Sequence, residues 1–219
     1  MTAAHECPIC SAQFDEFLPS SPTRPRKAKC PSCGSAERHR FFALLLKRMP
    51  DLLPDGTMLH FAPEAWLENE MTAKYGEDGY IRVDYQNYGI DARVDIQNLA
   101  FADESFNAVL CFSVLEHVPN DYKAMDELAR VCRPGATVCI HVPLQYKSHA
   151  SMRDALPAKE RKAKYGQYDH LRYYGLDIVE TLGERFASAE LIRTGDVFSA
   201  PEQARFGLNE RVALVVCKR

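Results

Sequence analysis

From residue 57 onward, short apolar runs alternate with stretches of helical period, and this alternation constrains the fold more than any other feature of the chain. Repeated strand, helix, strand calls for βαβ units around a largely parallel sheet, because parallel neighbours need a crossover long enough to hold a helix. The expected strands are 57–61, 80–83, 93–94, 108–112, 137–142, 189–193 and 212–216. Helices are expected from the turn after Phe61 to about Lys74, over 121–131 and over 176–186. Arg133-Pro134-Gly135 should end the second helix sharply, and 145–175 reads as a long polar stretch. The predicted class is α/β.

A chain of 219 residues has room for one ordinary domain and a small appendage. Hydrophobic residues make up 46% and charged residues 26%, with a formal net charge of -3, so nothing global points to nucleic acid or a membrane. No apolar run approaches the length of a membrane span. The start, MTAAHECPICSAQ, lacks the basic and then apolar pattern of a secretory signal, so a cytoplasmic location is the expectation.

Of the eight cysteines, Cys111, Cys132, Cys139 and Cys217 sit singly in apolar or helical patterns, where buried free thiols are common. The other four form CPIC and CPSC, two C-x-x-C pairs at the separation of a zinc site. Cys7, Cys10, Cys30 and Cys33 are therefore the expected ligands of one Zn²⁺ ion in a closed, structural tetrahedron. A redox pair would stand alone at the start of a helix, and two disulfides suit a secreted chain better than this one. Gly34 after the second pair suits a tight turn, whereas the first pair is followed by Ser11.

Arg24, Arg26, Lys27, Lys29, Arg38 and Arg40 cluster here, opposed only by Glu37. Such an excess either touches phosphate groups or balances a thiolate-zinc centre. Residues 36–49 read as a helix with Ser35 as N-cap and Pro50 at its end. The expected organisation is a zinc ribbon over 1–35, a linking helix over 36–54 and the main domain over 55–219.

In a parallel sheet, ligands bind beyond the carboxyl ends of the strands. The residues there run from His60 to Glu64, then Asp84-Tyr85, Asp95-Ile96, Ser113 to His117 and Pro143-Leu144. Asp84 lies about twenty residues past the first turn, the spacing of a carboxylate that accepts both hydroxyls of a ribose. An exposed Asp at a strand end is equally a turn former.

The stretch DIQNLAFADESFNAVLCFSVLEHVPNDYKAMDELARVCRPGATVCIHVP, from Asp95 to Pro143, closely resembles the middle of class I S-adenosylmethionine-dependent methyltransferases of the small-molecule, type 11-like kind. With the cysteine pairs and YGQYDHLRYYG, the chain resembles methyltransferases that carry an N-terminal zinc ribbon of four cysteines. The resemblance implies a Rossmann-like, seven-stranded, mostly parallel sheet with helices on both faces, its last strand antiparallel. It implies that Asp84 binds the ribose and that Tyr85 packs on the adenine. Asp95 then accepts from the adenine amino group, Ile96 offers its backbone amide, and Ser113 approaches the sulfonium. It also implies that 145–175 covers the substrate. Asn107 and Ala136 depart from the usual Asp and Gly at turn positions.

The larger departure is in TMLHFAPEAW. Ala62, Glu64 and Trp66 fall where the resembled turn has glycines, and His60 falls where it has an acidic residue. Ala62 fits if its φ stays negative, Pro63 supplies the bend, and Glu64 replaces the missing carboxylate that meets the cofactor's ammonium group. Alternatively Glu64 only caps the following helix.

In KYGQYDHLRYYG, His170 is a candidate general base, oriented by Asp169 or Asp177, with His117 and His141 as weaker candidates. The alternative is that His170 and Arg172 pin the loop to the sheet. Three functions follow. The first is methyl transfer to oxygen or nitrogen of a small molecule or a glycan or lipid precursor. The second is RNA methylation through the basic ribbon, although FSVLEHVP lacks the Asn/Asp-Pro-Pro-aromatic motif of base-amine enzymes. The third is a non-catalytic cofactor-binding scaffold.

Overall fold

The computed structural model describes residues 4–21, 24–86 and 90–219. The chain divides into two compact units, Met1–Leu52 with Ile192–Ala213, and Leu53–Leu191 with Leu214–Arg219.

The first unit opens with a two-stranded hairpin, β1 (His5–Glu6) and β2 (Gln13–Phe14), whose turn carries the first cysteine pair. A second hairpin, β3 (Leu18–Ser21) with β4 (Arg24–Lys29), leads to the second pair. Helix α1 (Glu37–Arg48) follows. Its N-cap is Ala36, a correction to the expected Ser35, because the Ser35 hydroxyl turns instead toward the sulfurs of Cys7 and Cys33. The chain then tightens into a 3-10 turn over Pro50–Leu52.

The second unit holds most of the sheet. In chain order its elements are β5 (Met58–Phe61), α2 (Ala65–Gly79), β6 (Tyr80–Asp84), β7 (Ala92–Arg93), β8 (Phe106–Phe112), α3 (Asp121–Val131) and β9 (Cys132–His141). Then come α4 (Ala158–Tyr165), α5 (Asp177–Gly183) and β10 (Ser188–Arg193). The short helices α6 (Thr194–Val197) and α7 (Ala200–Phe206) belong to the first unit, and β11 (Ala213–Lys218) returns to the sheet.

Three details differ from the sequence expectations. Strand β9 starts at Cys132 and absorbs Arg133-Pro134-Gly135, which was expected only to break the helix. Its Gly135 at φ 83 lets the extended chain bend there. The polar stretch 145–175 contains helix α4, and 194–206 contains two helices that the periodicity did not show. Helix α2 is interrupted at Gly76, whose φ of 71 and ψ of 167 are not helical.

The seven strands lie in the order β10-β11-β9-β8-β5-β6-β7. β5 pairs in parallel with both β6 and β8, β8 is parallel to β9, and β11 is antiparallel to β9. All four residues of β5 are buried, as a central strand covered on both faces requires. From β5 the chain proceeds outward through β6 to β7, then returns to lay β8 on its other side. The topological switch point therefore lies between β5 and β8, and the ligand crevice of such a sheet opens at their carboxyl ends. Asn107, the departure from Asp, accepts the Thr57 N–H at 3.0 Å and the Thr57 hydroxyl at 3.2 Å, a role a neutral amide oxygen fills.

Candidate functional site

The two cysteine turns have the same backbone. Cys7 N–H donates to Ala12 O at 2.9 Å and Ser11 N–H to Cys7 O at 2.8 Å; Cys30 N–H donates to Ser35 O and Gly34 N–H to Cys30 O, each at 3.0 Å. Ser11 takes φ 58 and Gly34 takes φ 74, so the Ser11 departure does not alter the turn. The sulfurs of Cys7 and Cys33 lie 3.7 Å apart and those of Cys10 and Cys30 3.8 Å apart. Four thiolates about 2.3 Å from a tetrahedral zinc sit about 3.8 Å from one another, so the donor set fits that ion.

Much of the basic cluster is used internally. Arg26 pairs with Glu37 at 2.5 Å, and Lys27 pairs with Glu16. Arg40 is fully buried, and its guanidinium donates to the carbonyls of Ala28, Ser35, Phe206 and Gly207. The side chain of Arg24 lies outside the described residues.

At the carboxyl edge of the sheet, Ala62 follows β5 with φ 48, a correction to the negative φ expected for a residue with a methyl group. The turn keeps the left-handed backbone that glycine adopts freely, at a cost of about 1–2 kcal/mol for alanine. Ala62 N–H is held by Val83 O at 2.8 Å. Glu64 occupies the N-cap position of α2 without a side-chain cap hydrogen bond; its carboxylate accepts from the Trp66 indole N–H at 3.2 Å.

His60 is fully buried on β5, with Nδ1 2.7 Å from the Tyr80 hydroxyl. Burial pushes its imidazole down to about 4, only partly opposed by the Glu64 carboxylate, so it is neutral at pH 7. Burial likewise pushes the Tyr80 phenol up.

Asp84 ends β6, and its Oδ1 accepts the Gln86 N–H at 2.7 Å. Tyr85 beside it is 65% exposed, an aromatic face open at the strand end. Asp95 lies just after β7 and accepts from Gln97 N–H at 2.9 Å and Gln97 Nε2 at 3.0 Å, while the Ile96 side chain is buried. Ser113 follows β8 at φ 55, its hydroxyl 3.2 Å from His141 Nδ1.

The chain brings a second group together just past β8. Leu171 N–H donates to Glu116 O at 2.8 Å, which lays His170 beside the 3-10 turn Leu115–His117. Ligand atoms of Glu116, His117 and His170 all lie within 4.8 Å of one another. Asp169 Oδ2 is 3.3 Å from His117 Nδ1, and His170 Nδ1 is 3.0 Å from Tyr165 O. Asp177 is not part of this group; its carboxylate accepts from Ser151 N–H and hydroxyl at 2.8 and 2.5 Å.

The group is held in part by the expected pin at Arg172 and in part by an anchor the sequence did not show, Asp121. Arg172 is buried and donates to the carbonyls of Leu115 at 2.6 Å, Val118 at 2.5 Å and Pro119 at 3.0 Å. Asp121, 1% exposed, accepts from Arg153 and from the Tyr174 hydroxyl, both at 2.7 Å. Burial first and then the Asp121 carboxylate push the Tyr174 phenol well up, so it remains a donor. The signal in the sequence was the basic and aromatic run Arg172-Tyr173-Tyr174, whose partners lie more than fifty residues upstream.

Residues 67–140 match the family described as "Methyltransferase domain". A sterol 4-C-methyltransferase of Caenorhabditis elegans is 28% identical over 112 residues, 48% of this chain and 31% of that protein. A ubiquinone biosynthesis O-methyltransferase of Hahella chejuensis is 40% identical over 63 residues, 28% of this chain and 24% of that protein. The chain thus spans a third or less of these curated relatives. Among solved structures, an S-adenosylmethionine dependent methyltransferase from Mesorhizobium loti superposes with a TM-score of 0.55 at 13% identity, covering 82% of this chain and 98% of that one. The fold is that of class I S-adenosylmethionine-dependent methyltransferases, and the chain also carries a cluster of four cysteines that fits a small zinc ribbon. Among the described residues no helix is long and apolar enough to cross a membrane.

Proposed function

We propose that this chain transfers a methyl group from S-adenosylmethionine to oxygen or nitrogen of a small molecule or a glycan or lipid precursor. The observation that carries the reading is the turn after β5, which keeps a glycine-like backbone at Ala62 and sets the Glu64 carboxylate beside the switch point. S-adenosylmethionine, when bound, supplies an electrophilic methyl group. In this reading Glu64 meets the ammonium group, Asp84 the ribose hydroxyls and Tyr85 the adenine face. Asp95 and the Ile96 amide read the adenine edge, and Ser113 stands nearest the reacting end. His60, buried and neutral, shapes the turn from beneath.

On the acceptor side, His117 and His170 stand where a proton leaving the acceptor is received, with Asp169 orienting His117. Positioning supplies most of the acceleration in an in-line displacement, and the pinned segment 145–175 provides it. The names of the curated relatives support a small-molecule acceptor. The pairing of Arg26, Lys27 and Arg40 within the chain favours that reading over RNA. The zinc held by Cys7, Cys10, Cys30 and Cys33 would be structural, since four protein ligands leave no open position.

Calorimetry with S-adenosylmethionine tests the cofactor site. Loss of a hydrogen bond between charged groups costs about 1.5–3 kcal/mol, so Glu64→Ala should weaken binding about 10- to 100-fold. Unchanged affinity removes Glu64 from the role, and no binding by the parent protein rejects the reading. Labelled S-adenosylmethionine with fractionated cell extract then identifies the acceptor class by where the label goes.

A further inference from the structure

We propose that Glu116, His117 and His170 form a second metal site, distinct from the four cysteines, which takes one first-row divalent cation such as Zn²⁺ or Mn²⁺. Two imidazoles and one carboxylate are a donor set for such ions rather than for Mg²⁺ or Ca²⁺, which require oxygen ligands.

Geometry is the first support. The three donor atoms lie within 4.8 Å of one another, close enough to share one ion. Orientation is the second. The Tyr165 carbonyl can only accept, so His170 carries its proton on Nδ1 and keeps the lone pair on Nε2, which is a buried atom. The Asp169 carboxylate does the same for Nδ1 of His117. A histidine whose far nitrogen donates to a carboxylate or carbonyl is the usual arrangement behind a metal ligand, fixing both tautomer and ring direction.

Access is the third support. Glu116 is 1% and His170 3% exposed, whereas the His117 side chain is 34% exposed. The cluster is thus walled by two buried donors and open on the third side. Three protein ligands would leave coordination positions for water or another ligand. The backbone bond from Leu171 to Glu116 and the Arg172 clamp hold the two halves in register.

The two histidines are those given the proton in the methyl-transfer reading, and an imidazole lone pair on a metal cannot also take a proton, so a bound ion would replace that role; the proposal is tested without turnover. The full chain, zinc-loaded at its cysteines, is dialysed to equilibrium against buffered micromolar free Zn²⁺, and bound metal is counted by mass spectrometry. The expected content is two zinc ions per chain in the parent and one in the His117→Gln/His170→Gln variant. Asp169→Asn should keep the second ion with about 10- to 100-fold weaker affinity, the effect of losing an orienting partner. One zinc in the parent, or two in the double variant, overturns the assignment. Should the double variant lose the near-ultraviolet circular dichroism of the folded chain, His117→Gln alone, at the exposed ligand, is held to the same count.

Discussion

Arg172→Met should be among the most damaging single changes in the sheet-bearing unit. Its guanidinium donates to Leu115 O at 2.6 Å, Val118 O at 2.5 Å and Pro119 O at 3.0 Å, with Nε 3.5 Å from Asp121 Oδ2. Hydrogen bonds from a charged donor contribute about 1.5–3 kcal/mol each, so three would sum to about 4.5–9 kcal/mol if they were independent. They are not independent: they share one side chain, and the bond to Pro119 is only partly buried, so water replaces some of it. Asp121 is not stranded either, because Arg153 and Tyr174 still donate to it at 2.7 Å. The expected loss is therefore about 3–5 kcal/mol, the range for removing one member of a buried ionic group.

The sole tryptophan, Trp66, lies in this unit, so urea unfolding followed by its emission reads the unit that holds Arg172. With a slope of about 2 kcal/mol per molar urea, the midpoint should fall by about 1.5–2.5 M. Arg172→Lys should recover part of this, since one ammonium cannot span the fork of three carbonyls. A midpoint shift below about 0.5 M for Arg172→Met, or about 1 kcal/mol at that slope, would mean that the turn 115–119 holds itself and would refute the clamp.

Three other outcomes are expected. Ala62→Gly should stabilise by about 0.5–1 kcal/mol in the same assay, because relief of left-handed strain outweighs the extra chain entropy of glycine; a destabilised variant would contradict the strain argument. His60 is depressed to about 4 from about 6.5 by burial, so its contribution is complete above pH 6.5 and is lost as pH falls toward 4, amounting to about 3 kcal/mol. His60→Gln should lack that component, and an equal acid decline in both proteins would exclude it. Ser35→Ala removes a hydroxyl 3.4 Å from Cys7 Sγ and 3.3 Å from Cys33 Sγ, which should weaken zinc binding about tenfold in competition with a chromophoric chelator. Unchanged zinc affinity would show that the hydroxyl does not support the thiolates.

What was legible in the sequence depended on local signals. The central strands were readable because runs such as MLHF and NAVLCF are buried on both faces and bounded by turn residues. The cysteine pairs were readable because each turn is closed by hydrogen bonds within six residues. The hairpin β3-β4, written LPSS and RPRKAK, carries no apolar alternation and was not visible. Nor was it visible that Ile192–Ala213 clusters with the N-terminal residues. That association rests on Arg40 reaching the carbonyls of Phe206 and Gly207 and on Gly207 lying where a Cβ would strike the Phe17 ring at 2.1 Å. The Glu116–His170 juxtaposition failed for the same reason: no short pattern records a pairing between residues more than fifty positions apart.

The most informative departures are two backbone angles. Non-glycine residues at positive φ are uncommon and costly, and they persist where the surrounding structure enforces them. Ala62 at φ 48 directly follows β5, and Ser113 at φ 55 directly follows β8. These strands are adjacent and flank the switch point of the sheet. Each residue costs about 1–2 kcal/mol in this conformation, and a glycine would remove the cost. Of the four non-glycine residues at positive φ among the described residues, Ser11 and Glu104 lie in other turns, while Ala62 and Ser113 stand on the two lips of the crevice, where backbone groups must face a ligand. A fold shared by many chemistries does not decide function, so function is read from the residues at this edge. Under the proposed function the replaced glycine turn is a retained site with altered side chains and not one that has relaxed. A relaxed turn would have let Ala62 return to negative φ.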